Sequence, residues 1–510
     1  MERSSGILLP IFSLPSLHGI GTLGQAARDF IVFLGKAGQR WWQILPVGPT
    51  SVGDSPYQSL SAFAGNPYFI DLDELATQGL LTKSEIASLP FGDDPARVDY
   101  ALLYKNRFIL LEKAFERGWE QDKTAVETFS GENEDWLPDY ALYMAVKKHF
   151  GMSSWQDWPE EAIRLHKPDA VAHYRKKLER DVRFYTYLQF LFYQQWDALK
   201  EYAKSRQIGI IGDLPIYVSL DSADVWADPE NFQLDECNRP REVSGVPPDG
   251  FSEDGQLWSN PLYDYEAMAQ DGYRWWLRRI RGAMKLYDII RIDHFRGFES
   301  YWAVPYGAET ARNGRWIKGP GMELVALLRD AFPNLSYIAE DLGYPSREVR
   351  ELLAASGFPG MKLLEFSFSV TDENPGLPHT FAKNSVCYIG THDNPPVMGW
   401  KESGDPAEII LAKEYANIHS DADFARGILR IGMGSPSELF IAQLQDWLEL
   451  GNESRINRPG TSTGNWLWRS TPGALSDRLA EDIARMTKLY GRSKNNGSSQ
   501  SETYKEDLSQ

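Results

Sequence analysis

The 510-residue sequence predicts an α/β fold, a (β/α)8 TIM barrel with helical and loop insertions around the C-terminal face of its strands. Three observations carry this prediction. Short runs rich in Ile, Val and Tyr alternate with helix-patterned segments, as in a parallel sheet covered on both faces. Four such runs lead into an acid: residues 208–212 into Asp213, 287–292 into Asp293, 335–339 into Glu340 and 386–392 into Asp393. An acidic side chain at the C-terminal end of a buried strand contributes little to packing. Several of them on successive runs converge at one mouth of a barrel, where this fold carries its chemistry. Finally, the length exceeds one minimal domain and suits a large barrel with insertions.

In chain order, the first strands are expected at residues 6–11 and 41–47. Between them, residues 25–36 form an amphipathic helix with Phe30, Phe33 and Leu34 on one face. The first part of the barrel spans residues 1–75. Over residues 76–206 the texture changes: polar stretches alternate with Leu, Phe, Tyr and Trp at three-to-four spacing, as in 100–117 and 184–204, which reads as a mainly helical insertion. Strand–helix alternation resumes at Ile208, and residues 207–492 supply the rest of the barrel. Two polar insertions interrupt it, at 221–265 and 452–472. Connections this long, with little structure of their own, are functional or disordered, and both contain tryptophan, which favours function. The Ser-, Asn-, Lys- and Glu-rich residues 493–510 read as a disordered tail. No internal repeat is visible.

Composition narrows the partners. A net charge of −18 argues against nucleic acid and against an anionic membrane, and either favours a neutral substrate or says only that the protein stays soluble. The 17 Trp, 24 Tyr and 24 Phe either fill a large core or line a cleft whose flat rings stack on an amphipathic ligand such as a sugar. The two cysteines, Cys237 and Cys387, form no metal-binding spacing and fit a reduced compartment. No basic N-terminal stretch leads into a long apolar one, and no apolar run reaches the roughly 18 residues of a membrane span. A cytoplasmic protein is expected.

Several motifs lose to plainer explanations. Gly19-Ile-Gly-Thr-Leu-Gly24 has the glycine spacing of a dinucleotide site, but the acid expected about 20 residues later is absent, so it reads as a turn feeding a helix. Asp293-His294 and His392-Asp393 are adjacent pairs that a strand would point to opposite faces, with no further ligands to complete a metal set, so no metal is expected in the chemistry. Asp221, Asp224 and Asp228 read as solvated or capping acids rather than calcium ligands. There is neither a Gly-x-Ser-x-Gly elbow nor a phosphate-binding glycine loop.

The carboxylates remain. Arg291 lies two residues before Asp293 and so shares its side of the strand. A guanidinium there would keep the carboxylate ionised and oriented, as a nucleophile needs; the plainer alternative is a buried ion pair. Glu340, near another anion, would have a raised pKa, as a general acid needs; the alternative is an acid at a helix N-terminus. Two carboxyls flanking a bond are the general equipment for breaking a glycosidic linkage.

At these residues the chain resembles the amylomaltases, or 4-α-glucanotransferases (disproportionating enzymes), of the α-amylase clan. The matching segments are Leu45-Pro-Val-Gly-Pro49 with Asp54-Ser-Pro-Tyr-Gln58, Gly212-Asp-Leu-Pro-Ile-Tyr-Val218, Asp221-Ser-Ala-Asp-Val-Trp226, Gly245-Val-Pro-Pro-Asp249, Gly255-Gln-Leu-Trp-Ser-Asn-Pro261, Arg291-Ile-Asp-His-Phe-Arg-Gly297, Ala339-Glu-Asp-Leu-Gly343, Gly390-Thr-His-Asp-Asn394, and Arg455-Ile-Asn-Arg-Pro-Gly-Thr461 with Gly464-Asn-Trp-Leu-Trp-Arg469. They span nearly the whole chain in the family's order. The resemblance implies a barrel with helical insertions and no organic cofactor. It implies a retaining enzyme acting on α-1,4-glucans and malto-oligosaccharides, with glucose as an acceptor. Asp293 is then the nucleophile, Glu340 the acid and base, and Asp393 the holder of the 2- and 3-hydroxyls. Arg291, His294, His392 and Asp213 bind the same sugar, Tyr57 stacks on it, and the loop with Asp249, Phe251 and Trp258 covers the cleft. Asn465 sits near the site. Ser259 departs from the family's usual glycine. Two other readings stand beside transfer: a hydrolase with the same trio, and a catalytically silent glucan-binding protein.

Overall fold

The structure is a computed structural model, and it describes residues 2–51, 53–248, 252–343, 346–371 and 376–493. Asp249, Phe251 and the tail beyond Ser493 lie outside the described residues. Eight strands close into a barrel: β1 (Ser4–Leu8), β2 (Trp41–Gln43), β3 (Gly209–Leu214), β4 (Ile289–Ile292), β5 (Ser336–Ala339), β6 (Gly360–Leu363), β7 (Ser385–Tyr388) and β8 (Leu439–Gln443). Each pairs in parallel with its neighbours in chain order, and β8 pairs with β1.

Alternation along the strands sorts the side chains. Leu8, Ile211, Ile289, Ile338, Val386 and Leu439 pack together inside the barrel. Their neighbours Ile7, Ile210, Ile290, Tyr337, Cys387 and Phe440 face outward and join the core under the helices. This parity places the chemistry. Counting by twos from Ile211 gives Asp213, from Ile289 gives Arg291 and Asp293, from Ile338 gives Glu340, and from Val386 gives Tyr388 and then His392. The interior stack therefore ends in polar residues at the C-terminal mouth.

The helix expected at residues 25–36 is Gln25–Lys36, with Phe30, Phe33 and Leu34 buried. The glycine run before it packs on its own chain: a Cβ at Gly19 would lie 2.2 Å from the Phe91 carbonyl oxygen, and one at Gly21 would lie 1.7 Å from that of Ile11. Close packing explains both glycines without a ligand. Between β2 and β3 run the helices Tyr100–Gly118, Lys123–Glu132, Leu137–His149, Pro168–Lys177 and Glu179–Ser205. The last of these splints the chain leading from the barrel mouth. Its Gln189 bonds both the N–H and the carbonyl of Gly65, and its Gln195 does the same for Asp71.

One expectation is corrected. The 221–265 insertion is not structureless: it holds the helix Ala223–Ala227 and the strands Glu242–Val246 and Gln256–Pro261. These strands join Ser300–Pro305 and Arg315–Lys318 in an antiparallel four-stranded sheet beside the barrel mouth. The strands at 242–246 and 256–261 themselves carry Gly, Ser and Pro, and the first pairs with the sequence-remote Ser300–Pro305, so no local alternation betrayed them. Asp221, Asp224 and Asp228 are held apart by separate partners, namely Tyr143 with Lys147, the Ala62 N–H, and Arg278. Ser259 adopts φ +62° where the pairing slips. That left-handed conformation suits glycine. Ser259→Gly is therefore expected to raise stability by about 0.5–1 kcal/mol, the relief of left-handed strain outweighing the added freedom of the unfolded chain. Equilibrium denaturant unfolding checks it, and a lower midpoint at equal slope would contradict it.

Candidate active site

The mouth of the barrel opens into a cleft of about 570 Å³ lined by Tyr57, Trp258, Asp293, His294, Glu340, His392, Asp393 and Trp466, among others. Residues far apart in sequence thus meet in one place. Ile292 of β4 pairs with Ala339 of β5. Asp293 and Glu340 are the next residues, so their carboxyls stand side by side on adjacent strands.

Arg291 Nη1 donates to Asp293 Oδ1 at 3.0 Å, as expected from the two-residue spacing. The same nitrogen also donates to both oxygens of Asp213, at 2.7 and 2.8 Å. One guanidinium is therefore divided between two acids. Arg291 opposes protonation of Asp293, as expected from the sequence, but in the structure it does so against burial and three other acids. Burial pushes the Asp293 carboxyl well above the usual carboxylate range, Arg291 opposes this, and Asp213, Glu340 and Asp393 add to the rise.

Glu340 accepts from the N–H of His294 at 2.8 Å and from that of Leu342 at 2.7 Å. Burial nevertheless pushes it up to about 7, against the pull of Arg291 and those two N–H groups. Asp293 and Glu340 thus share one anionic pocket, and their protons come off as those of a pair. The contact with Arg291 settles where the first charge goes. Asp293 touches the guanidinium and keeps 27% of its side-chain surface open, whereas Glu340 is 8% exposed and bonds only backbone. Of the pair, Asp293 is thus the better placed to carry the charge and Glu340 to keep the proton.

This raised Glu340 links to stability. A carboxyl whose folded pKa exceeds its unfolded value stabilises the fold below the unfolded value, and that contribution is lost as pH rises through the folded one. For Glu340 the window runs from its ordinary value of 4.5 to about 7. Glu340→Gln is accordingly expected to gain on the parent by roughly 3 kcal/mol across that window, whatever its offset at acid pH. Denaturant unfolding at a series of pH values checks this, and parallel curves would refute it.

The two histidines are neutral. Burial, helped by Arg296, lowers His294 to about 3, and burial lowers His392. His294 takes φ +53°, which costs about 1–3 kcal/mol and turns its N–H toward Glu340. Its Nε2 has no hydrogen-bond partner among the described residues, and its ring stands edge-on to Trp258 at 4.8 Å. Tyr57 stacks on His392 at 5.2 Å and donates to Asp213 Oδ2 at 2.7 Å.

Not every expected sugar ligand reaches the cleft. Asp213 and Arg291 have side chains only 0% and 3% exposed. They lie one layer below, Asp213 holding Arg291 and Tyr57, and Arg291 holding Asp293. Asn465 lines the cleft but uses its amide within its own loop, on the Arg458 N–H and on Thr461. The amide that meets an acid is that of Asn457, which donates to Asp393 Oδ1 at 2.6 Å. Asn457, Tyr217, Gln256 and Trp466 also line the cleft and were not singled out by sequence. Nothing in Asn457 itself could have flagged it beyond its place in the Arg455–Thr461 motif. Among the described residues, no group of three or more His, Cys, Asp and Glu is arranged to hold a metal.

Comparison with known proteins agrees with this geometry. Residues 9–475 match the family model for 4-alpha-glucanotransferase. A 4-alpha-glucanotransferase of Clostridium butyricum is 46% identical over 484 residues, 94% of this chain and 99% of the relative. One from Streptococcus pneumoniae serotype 4 is 47% identical over 494 residues, 96% and 98% of the two chains. The solved structure of the amylomaltase from Streptococcus agalactiae in complex with acarbose superposes with a TM-score of 0.94 at 41% identity, covering 97% of this chain and 100% of that one. A parallel barrel with paired acids at its mouth and relatives matched over nearly their full length lead to one conclusion: this chain belongs to the 4-alpha-glucanotransferase family.

Proposed function

We propose that this chain is a 4-α-glucanotransferase that moves α-1,4-glucan segments from a donor malto-oligosaccharide to the 4-hydroxyl of an acceptor glucan or glucose, by retaining double displacement. The observation that carries the mechanism is the placement of Asp293 and Glu340 at the same level of adjacent strands. Neighbouring strands lie about 4.7–4.9 Å apart, a spacing compatible with the roughly 5–5.5 Å between the carboxyls of a retaining site.

In the first step an Asp293 oxygen attacks the anomeric carbon as the glycosidic C–O bond breaks, and Glu340 delivers its proton to the departing oxygen. This leaves a β-linked glucosyl ester on Asp293. In the second step Glu340, now charged, takes the proton of the acceptor 4-hydroxyl, whose oxygen displaces Asp293 and restores the α-linkage. Asp393 holds the 2- and 3-hydroxyls of the distorted sugar. Water competes with the acceptor in that second step. The aromatic walls formed by Tyr57, Trp258 and Trp466 favour the sugar by stacking on it and excluding water.

Maltotriose as sole substrate tests this reading. Disproportionation yields glucose, maltose and oligosaccharides longer than the substrate, with no net rise in reducing ends. Shorter products alone, with rising reducing ends, would make the protein a hydrolase, and no products would favour a silent binder. We also place the protein in the cytoplasm, acting on glycogen- or starch-type chains. Two free cysteines and a net charge of −18 support that reading, and no helix among the described residues is long and apolar enough to cross a membrane.

A further inference from the structure

We infer that Asn457 is the positioning residue for Asp393, fixing the plane of its carboxylate for the adjacent sugar hydroxyls. The inference rests on the role proposed above for Asp393. The Asp393 side chain is 42% exposed on a turn after β7, with His392 Nε2 3.4 Å from its Oδ1, beyond the distance of a short hydrogen bond. The close hydrogen bond to it comes from Asn457, with Nδ2 to Asp393 Oδ1 at 2.6 Å. Three bonds fix the two residues relative to each other. The Asn457 N–H donates to the His392 carbonyl at 3.1 Å, Arg455 Nη2 donates to the Asp393 carbonyl at 2.5 Å, and Arg455 Nε donates to the Asn457 carbonyl at 2.8 Å. Ile456 between them is fully buried, and its carbonyl accepts from the Trp466 N–H at 2.8 Å. The donor is thus mounted on an anchored segment and not on a free loop.

One lone pair of Oδ1 is taken by the amide. His392 Nε2 lies 3.4 Å from the same oxygen, and Oδ2, with two lone pairs and no hydrogen-bond partner among the described residues, has the capacity two neighbouring hydroxyls need. Bonds to the sugar hydroxyls strengthen as the ring flattens in the transition state. A carboxylate free to rotate would still bind the ground state, but would meet the flattened ring in the right plane only part of the time. Asn457 therefore acts on kcat more than on KM.

A double-mutant cycle on the full chain with maltotriose as donor tests this. Asn457→Ala is expected to lower kcat by about 10–100-fold, with donor KM moving by less than about threefold. In an Asp393→Asn background the same change is expected to cost less than about threefold, because the group it acts through is already disabled. Asn457→Asp keeps the shape, and so the fold, but sets a second carboxyl against Asp393. Two carboxyls this close share a proton, and the protonated partner still donates. This variant is therefore expected to work at low pH and to lose activity at a lower pH than the parent. His392, Arg455, Asp293 and Tyr57 also face Asp393; they are common to both proteins and cannot produce the shift. Additive losses in the cycle, a loss confined to KM, or an unmoved alkaline limb in Asn457→Asp would each overturn the inference. Full activity in Asp393→Asn alone would instead overturn the role of Asp393 itself, so the two failures are distinguishable.

Discussion

Asp293→Asn and Glu340→Gln are expected to abolish transfer at different steps. An amide at 293 cannot attack the anomeric carbon, so no donor forms the covalent intermediate, and transfer falls by roughly 10⁴-fold or more. Glu340→Gln keeps the nucleophile and removes both the acid and the base. A glucosyl fluoride has a leaving group that needs no proton, so it bypasses the missing acid. It is expected to label Asp293 in the Glu340→Gln protein, and the label persists because nothing activates the acceptor hydroxyl. Mass spectrometry of the intact protein and then of its peptides reads the adduct and its position. Accumulation of the adduct in Asp293→Asn, or a label mapping to Asp393, would reassign the nucleophile.

The second large effect concerns Arg291, whose side chain is 3% exposed beneath the cleft. It is buried, and its Nη1 is shared between Asp213 and Asp293. Arg291→Met leaves two carboxyls in the barrel mouth without their cation. Breaking a buried pair in this way costs about 3–5 kcal/mol, read as a large fall in the unfolding midpoint. Transfer falls as well, because Asp293, already pushed up by burial, loses the charge that opposes its protonation. Adding Asp213→Asn removes one orphaned charge. Stability should then partly return while transfer stays low, since Asp293 still lacks its guanidinium. A single variant with the parent's stability and activity would show that Arg291 does neither job. A double variant that regains activity would show that Arg291 serves the fold alone.

The barrel and the acids were legible in the sequence because both are written locally. A parallel strand buried on both faces needs a mainly apolar run, and the short Ile-, Val- and Tyr-rich runs before Asp213, Asp293, Glu340 and Asp393 are of that kind. An acid at the end of one has no packing reason to be there, and the period of two from Ile289 through Arg291 to Asp293 needs no knowledge of the rest of the chain. The strand-paired region at 242–261 was not legible. Its strands are short and contain Gly, Ser and Pro, and each is defined only by partners elsewhere, such as Trp302 opposite Gly245.

From the sequence alone the candidate acids could be named, and strand parity pointed Asp213, Asp293 and Glu340 toward one mouth. Only the tertiary structure decided how they share charge and who holds whom. Arg291 was expected to belong to Asp293, but Asp213 takes the larger part of it. Asp213 was expected to meet the sugar, but it lies beneath the cleft. Asn465 lines the cleft, near the site as expected, but its amide serves its own loop, and it is Asn457 that reaches Asp393. The physical reason is the same in each case. A hydrogen bond or a pKa depends on distances of a few ångströms between residues tens to hundreds of positions apart. Periodicity along one chain places each residue on a face, but it carries no information about which neighbour that face will meet.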